Sequence, residues 1–183
     1  LKEEKETAHM VEQLAIMERR YMDWSKEYIP ITEEMGIVEA YLKLQKYRFD
    51  KRLSYKLEIE EECKAYTVPQ LTVVTFVENA CIHGIESKAT PGWIFVRVFM
   101  SEEYMELEIE DTGSGLEYDE VMALKDIMIN ADISLLKEKA HVGIINACLR
   151  LKIMTNDQVI FDIESEKGVG TMVSIRIPLD ALQ

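Results

Sequence analysis

The sequence has little cysteine: three residues among 183, an odd number, widely spaced at Cys63, Cys81 and Cys148. It has no CxxC pair and no clustered Cys/His pattern, which argues against a disulfide framework and against a structural zinc site. Cys81 and Cys148 lie within apolar helical patterns, where a small buried thiol is the usual role. The cysteines therefore predict a chain that folds in a reducing compartment.

Long hydrophobic runs are also missing, since no apolar stretch approaches the roughly 20 residues that a membrane-spanning helix needs. The amino-terminal residues LKEEKETAH do not have the pattern of a signal peptide. Because they include no initiator methionine, we expect the chain to be part of a longer protein. No internal repeat or low-complexity linker is visible along it.

Positive charge is in short supply, because 21 Lys and Arg residues face 34 Asp and Glu residues, for a net charge of −13. This balance argues against nucleic acid or an anionic membrane surface as the main partner. It does not exclude a nucleotide, which backbone N–H groups and a metal ion can hold locally. A hydrophobic content of 48% is enough for the packed core of one ordinary domain.

The most informative stretch that is present is TVPQLTVVTFVENACIHG, residues 67–84. Thr67 and Gln70 have the spacing of a capping box, and Gly84 is a typical helix stop. Between these two signals, apolar residues recur at helical spacing. The pattern predicts one amphipathic helix over residues 67–84.

Three polar side chains interrupt the apolar pattern of that helix. Asn79 and His83 are four residues apart and share a face, whereas Glu78 lies about 100° around the helix. An ordinary amphipathic helix with a polar side explains these residues as well as a binding site does. The helix alone leaves both interpretations open.

The remaining patterns predict a layered fold. Helices are expected over residues 7–28, from Thr32 onward, and over residues 117–129 and 143–154, while residues 130–142 are polar and ambiguous. Strands are expected over residues 53–59, 93–100, 104–111, 159–163 and 171–177, the last four as two hairpins. This order predicts an α/β (α+β) two-layer sandwich, with a mixed, mostly antiparallel sheet and helices on one face.

A carboxylate stands on the core side of the second hairpin strand. Met105, Leu107 and Ile109 share the parity of Asp111, and a buried carboxylate is costly unless something pairs with it. A plain strand end before a glycine turn is one interpretation. The other, which the parity favours, is an acceptor for the exocyclic amine of a ligand that lies on the glycines of Thr112-Gly113-Ser114-Gly115. Thr171 faces inward in the same way after Gly168-Val169-Gly170.

Together these segments resemble the ATP-binding domain of the GHKL superfamily, and within it the sensor histidine kinases of the LytS/YesM type. PQLTVVTFVENACIHG is similar to their N box, DTGSG and HVGIINACLRL to their two glycine boxes, and EKGVGT to the segment before the last strands. The resemblance covers essentially residues 8–179. It implies an ATP-binding catalytic domain over residues 51–183, after a helical segment over residues 1–50 that leads from a phosphoacceptor region.

The resemblance also implies roles for individual residues. In this family Asn79 would coordinate Mg²⁺, Asp111 would accept from the adenine amino group, and Gly143 would offer its backbone to the phosphates. Glu78 would be the catalytic acid of the N box, which assists the incoming histidine in kinases and activates water in hydrolysing relatives. The remaining implied nucleotide-binding residues are His83, Gly113, Gly115 and Thr171.

Two positions depart from the family pattern. His141 stands where the second glycine box usually has its first glycine, so its side chain would crowd the phosphates or cap the loop. Ile82 stands where a lysine near the phosphates is common. The phosphoacceptor histidine with its Asn-rich motif is missing, and His9 lacks that context.

The resemblance implies that the chain binds ATP and Mg²⁺ and transfers a phosphoryl group to a histidine outside it. It further implies a cytoplasmic domain of a membrane-anchored homodimer that acts on a response regulator. Residues 116–142 lack sustained apolar periodicity and carry Asn130-Ala131-Asp132 at their middle, so we expect them to form a mobile lid. Two alternatives stay open: a degenerate nucleotide-binding or interaction module without kinase activity, and a hydrolysing ATPase that uses Glu78 as its base.

Overall fold

The computed structural model describes residues 2–22, 26–137 and 140–182. Within these residues, five α-helices, α1 to α5, span Lys2–Met22, Ile31–Phe49, Thr72–Asn79, Tyr118–Ile129 and Val142–Met154. The same described part of the chain has seven strands, β1 to β7, at Tyr28–Pro30, Leu53–Ile59, Thr67–Pro69, Gly92–Met100, Tyr104–Asp111, Ile160–Glu166 and Gly170–Pro178. Short helical turns lie at Asp50–Arg52, Glu61–Ala65, Ala80–Ile85, Ile133–Lys137 and Leu179–Ala181.

Five of the strands form one sheet in the order β2-β4-β5-β7-β6. The outer pair β2 and β4 is parallel, with Leu53 opposite Gly92, and the other three pairs are antiparallel. The predicted mixed, mostly antiparallel sheet is therefore confirmed. The second hairpin is longer than predicted, because Glu166 still pairs with Gly170.

One face of this sheet is covered by helices and forms the hydrophobic core. Alternate residues of the central strands point into it, and helices α2, α3 and α5 supply the other layer. The fully buried side chains of this core include Ile37, Leu42, Val73, Val77, Ile94, Val96, Leu107, Leu151 and Ile175. Helix α2 thus shares one core with the sheet, and a division of the chain at residue 50 remains a proposal.

The predicted helix over residues 67–84 is wrong at both ends. Thr67–Pro69 is strand β3, which pairs antiparallel with β1, and Leu71 then adopts a left-handed backbone conformation with φ of 61°. Helix α3 begins only at Thr72, so Thr67 and Gln70 form no capping box at its start. At the other end the helical backbone runs past Gly84 to Ile85 as a π-turn over Ala80–Ile85. Pairing with β1 outweighs the local capping pattern because the strand satisfies backbone groups that a frayed turn would leave open.

The first predicted helix is displaced toward the amino terminus, since α1 begins at Lys2 instead of residue 7. Helix α1 ends at Met22, Tyr28 lies in β1 rather than in a helix, and residues 23–25, which include Trp24, lie outside the described part of the chain. The predicted helix over residues 117–129 is confirmed as α4, whose first turn is closed by a capping box between Glu117 and Glu120. No described helix is both long and apolar enough to cross a membrane.

Candidate functional site

A cavity of about 360 Å³ lies between the sheet and the layer of α3, α4 and α5. Among its described lining residues are five of the predicted site residues, Asn79, His83, Asp111, Gly115 and Thr171. The rest of the lining is mostly apolar, with Phe76, Ile109, Leu124, Met128, Ile144 and Val173. Tertiary structure therefore brings together, around one apolar cavity, polar residues that lie up to 92 positions apart in the sequence.

Asp111 is the buried carboxylate of this cavity, with 6% of its surface exposed. It ends strand β5 opposite Thr171 of β7, and its Oδ1 accepts a hydrogen bond of 2.8 Å from the Gly113 N–H. Burial raises the pKa of Asp111 to about 6, while the N–H of Gly113 and the ammonium group of Lys88 act in the opposite direction. The carboxylate has the burial that the strand parity predicted.

Asn79 is held at the end of α3, where the α-helix passes into the π-turn. Its Nδ2 donates to the Thr75 carbonyl at 2.8 Å, which fixes the amide group. The residue is half-buried, and in the part of the chain that the structure describes its side-chain oxygen accepts no hydrogen bond. An amide oxygen is a suitable ligand for a hard cation such as Mg²⁺.

Gly84 is a site residue whose local pattern indicates only a helix stop. A side-chain carbon at Gly84 would collide with the Asp111 carboxyl group, and one at Gly113 would collide with the Gly84 backbone. The π-turn widens the helix here, as such turns often do at functional sites. The residues around Gly84 gave no signal of this contact, because the contact depends on the distant loop at Gly113.

The glycine loop after β5 is fixed from two sides. The Ser114 N–H donates to the Gly84 carbonyl at 3.2 Å, and the Gly168 N–H donates to the Ser114 carbonyl at 2.7 Å. Gly115 has φ of +62°, and a side chain there would collide with the Glu166 carbonyl. The glycine is required because its backbone is left-handed and lies against another strand.

Lys88 is a second residue that the sequence analysis missed. Its Nζ donates to the carbonyl oxygens of Thr112 and Gly113, at 3.0 and 3.3 Å, and lies 3.5 Å from that of Gly168. The ammonium group thus joins the glycine loop to the β6–β7 turn behind Asp111. Nothing in the local pattern around Lys88 indicated this role, because its three acceptors come from two distant loops.

The hydroxyl of Thr171 belongs to a short hydrogen-bond chain at the cavity wall. Its Oγ1 lies 2.8 Å from the Ser165 Oγ, which also accepts from the Leu116 N–H at 2.9 Å. This chain links β7 and β6 to the residues that lead into α4. The inward orientation expected for Thr171 fits its place in the lining.

His141 precedes α5 with φ of 57° and ψ of 22°, a left-handed conformation. Glycine adopts this conformation freely, whereas a side chain makes it costly, so the backbone geometry matches the glycine that the family has here. The His141 side chain makes no capping hydrogen bond and lines the cavity. Of the two roles considered for it, the capping one is therefore wrong.

Three sequence-predicted residues are not among the described lining of the cavity: Glu78, Gly113 and Gly143. Glu78 is half-buried beside Asn79, and Gly113 acts through its N–H on Asp111. Gly143 lies in the first turn of α5, where a side-chain carbon would stand 3.3 Å from the Thr75 methyl group. Ile82, at the position where the family often has lysine, is 48% exposed.

The described residues contain no group of three His, Cys, Asp or Glu side chains that could hold a metal ion by themselves. This donor set fits Mg²⁺ only as part of a nucleotide complex, because Mg²⁺ commonly takes one or two protein ligands and completes its shell with phosphate oxygens and water. The side-chain oxygen of Asn79 could supply one such ligand.

Comparison with known proteins places this architecture in a family. Residues 1–53 match the family model described as Histidine kinase. The chain is 30% identical over 150 residues to Sensor protein LytS of Bacillus cereus, in an alignment that covers 82% of this chain and 25% of the relative. It is 27% identical over 178 residues to Sensor histidine kinase YesM of Bacillus subtilis, with 96% of this chain and 28% of the relative covered. The chain thus spans about a quarter of the length of these relatives.

Solved structures agree with the fold. The histidine kinase domain of the blue-light-activated histidine kinase of Erythrobacter litoralis EL346 is similar with a TM-score of 0.58 and 19% identity, over 96% of this chain and 75% of that one. The catalytic domain of histidine kinase ThkA gives 0.55 and 12%, over 82% and 93%. The chain therefore belongs to the histidine kinases of the LytS/YesM type and has the fold of their GHKL-type kinase domain.

Proposed function

We propose that this chain binds Mg-ATP in the cavity around Asp111 and transfers the γ-phosphoryl group to a histidine outside the chain. The observation that carries the proposal is the buried carboxylate of Asp111 in a mostly apolar cavity of about 360 Å³. Such a cavity suits a flat aromatic base with one exocyclic amine, because the apolar walls contact the ring and the carboxylate accepts from the amine.

The polar residues of the cavity have separate tasks in this proposal. Asp111 accepts from the adenine amino group, with Thr171 beside it and Gly115 allowing close approach of the base. The first turn of α5, with Gly143, provides backbone N–H groups and a helix dipole for the phosphates. His83 lines the cavity on the side of α3, and Asn79 and the metal ion that it would hold lie on the same side.

When bound, Mg²⁺ would neutralise charge on the phosphate oxygens. The chain's own part is to fix the nucleotide and to exclude water from it. Glu78 adjoins Asn79 in α3, from where it would assist the incoming histidine as a general base. In the intact protein we propose a homodimer, anchored to the membrane by segments outside this chain, that passes the phosphoryl group to a response regulator.

Calorimetric titration with ATP, with and without Mg²⁺, tests the binding step. We expect Mg²⁺-dependent binding to the chain and loss of binding in Asp111→Asn, because the amide offers a donor where the adenine amine also donates. Glu108→Gln is the matched control, since Glu108 lies on the same strand but on the other face, where it pairs with Arg97 at 3.3 Å. The control variant should bind like the wild type.

Two residues that depart from the family pattern support a second candidate function, that of a degenerate module without kinase activity. The His141 side chain lines the cavity where the family has glycine, and Ile82 supplies no cation. Absence of binding at millimolar ATP would leave the fold standing and favour this alternative. Phosphate release to water that Glu78→Gln abolishes would instead favour an ATPase, whereas turnover only with an added histidine-bearing segment supports the kinase.

A further inference from the structure

Glu34, on α2, is fully buried although it carries a carboxyl group. Its Oε2 accepts a hydrogen bond of 2.9 Å from the Leu71 N–H, and its Oε1 accepts one of 3.2 Å from the Val74 N–H. Both donors belong to the start of α3, whose first N–H groups have no partner within the helix. A side chain 37 positions earlier in the sequence therefore caps the helix that carries Glu78 and Asn79.

The start of α3 depends on this cap because the helix has no local one. Leu71, at the N-cap position, holds a left-handed backbone with φ of 61° and provides no side-chain hydrogen bond. A non-glycine residue keeps such a conformation only where its surroundings impose it. The hydrogen bond from the Leu71 N–H to Glu34 is one such constraint.

A third element reaches the same point. Arg150 of α5 donates from its NH1 group to the Gln70 carbonyl, directly before Leu71, and its charge lowers the pKa of Glu34. The Arg150 Nε is buried without a hydrogen-bond partner among the described residues. Helix α5 begins beside the cavity at His141, so the cluster of Glu34, Gln70, Leu71 and Arg150 joins α2 to two helices that border the cavity.

We propose that Glu34 is a positioning residue for the nucleotide site, which fixes the first turn of α3 and thereby the place of Asn79 at its other end. The inference rests on the proposed function. Helix α3 has only eight residues, a length of about 12 Å, and a rod this short transmits a displacement of its first turn to its last. Glu34 touches neither nucleotide nor metal and acts only through α3.

The protonation state of Glu34 makes its capping of α3 depend on pH. Burial raises its pKa to about 7, while the N–H groups of Val74, Leu71 and Val73 and the charge of Arg150 act in the opposite direction. Arg150 in turn faces Glu27 and Tyr28. Protonation removes the charge and turns one of the two accepting oxygens into an O–H donor, so the cap weakens as the pH falls below about 7.

The test is the ratio of ATP affinities with and without Mg²⁺, measured by calorimetry on the wild type and on Glu34→Gln. We expect the Mg²⁺-dependent gain in affinity to fall about tenfold in the variant at pH 8, while affinity for metal-free ATP, which depends on Asp111, stays nearly the same. Glu39→Gln is the control on the same helix, since Glu39 is exposed and pairs with Lys43 at 3.0 Å.

The pH dependence separates positioning from a general loss of stability. The difference between wild type and Glu34→Gln should shrink between pH 8 and pH 6, because protonated Glu34 resembles glutamine. Glu34→Asp, which keeps the charge but is shorter, should lie between the two and serves if the first variant does not fold. An unchanged Mg²⁺-dependent gain in both variants overturns the inference and leaves the proposed function intact, whereas a wild type that binds no ATP overturns both.

Discussion

The Asp111 carboxylate is needed for the proposed nucleotide binding, but its burial makes the ionised form unfavourable for stability. Its carboxyl group is buried at the end of β5, and burial raises its pKa from the ordinary 3.8 to about 6. A folded-state pKa above the unfolded value means that the native state binds the proton more tightly. The associated stability is fully present below pH 3.8 and is lost as the pH rises through about 6.

Asp111→Asn should therefore stabilise the protein at neutral pH although it removes binding. The expected gain in the free energy of unfolding at pH 7.5 is up to about 3 kcal/mol. Loss of the hydrogen bond from the Thr171 N–H, which helps to lower the pKa of Asp111, makes the gain smaller. The gain should disappear near pH 4, where both side chains are neutral. Denaturant unfolding at the two pH values measures it, and a variant that is less stable than wild type at pH 7.5 would contradict the prediction.

The backbone conformation of His141 is also unfavourable for stability. Its left-handed conformation, with φ of 57°, costs a side chain roughly 1–2 kcal/mol relative to the right-handed region. His141→Gly should leave the melting temperature unchanged or raise it, and should increase ATP affinity because the imidazole no longer lines the cavity. Thermal melting and calorimetry measure the two effects.

The control for this variant is Asn156→Gly, because Asn156 has φ of 49° at the other end of α5 and is exposed. It removes backbone strain of the same kind far from the His141 side of the helix. We expect it to preserve ATP affinity. If His141→Gly bound ATP no better than Asn156→Gly, the imidazole would not be what limits binding.

At the scale of elements, the segment that borders the cavity opposite α3 is built in two unequal parts. Helix α4 has a capping box at Glu117 and Glu120, buries Met128, and pairs Lys125 with Asp162 of β6 at 2.7 Å. The turn Ile133–Lys137 that follows buries no side chain. Helix α4 is thus held by a cap, a buried side chain and an ion pair, whereas the turn packs only the partly buried Leu135 and Leu136 against the core.

This difference predicts the pattern of amide exchange in the proposed lid over residues 116–142, of which residues 138 and 139 lie outside the described part. Without nucleotide, residues 132–137 should exchange faster than α4, and α4 faster than strand β5. Bound Mg-ATP should slow exchange in both parts of the lid. Exchange as slow as in β5 without nucleotide would contradict the lid hypothesis.

At the scale of the whole molecule, all three cysteines report on global opening. Cys63, Cys81 and Cys148 are free and buried, and burial is the main cause that raises their pKa values to about 11, 12 and 12. The thiolate is the reactive form of cysteine, and at neutral pH the three described cysteines are protonated thiols.

We therefore expect the native protein to resist alkylation at pH 7.5 and to react at three thiols in denaturant. Because Mg-ATP binding to the native state stabilises it by mass action, saturating nucleotide should slow the residual reaction further. Mass spectrometry after iodoacetamide treatment counts the modified thiols. Rapid modification of a single cysteine in the native state would show local opening instead.

The sequence by itself determined the five strands of the main sheet and the burial of Asp111. Alternation in β2, β4 and β5 is a local signal of which face is buried, so the approximate bounds of these strands and the inward direction of Asp111 follow from the residue pattern alone. The glycine loop at Gly113 and Gly115 is predictable for the same reason, since its residue types and spacing are those that the turn itself requires.

Only the tertiary structure decided how those pieces meet. The local pattern at Thr67 predicted a capping box, but pairing with β1 and the buried carboxylate of Glu34 displaced the start of α3 to Thr72. The roles of Lys88 and Gly84 likewise depend on acceptors and contacts from distant segments. Periodicity records which residues are buried, whereas a hydrogen bond or close contact between residues far apart in sequence depends on the packed arrangement of the whole chain.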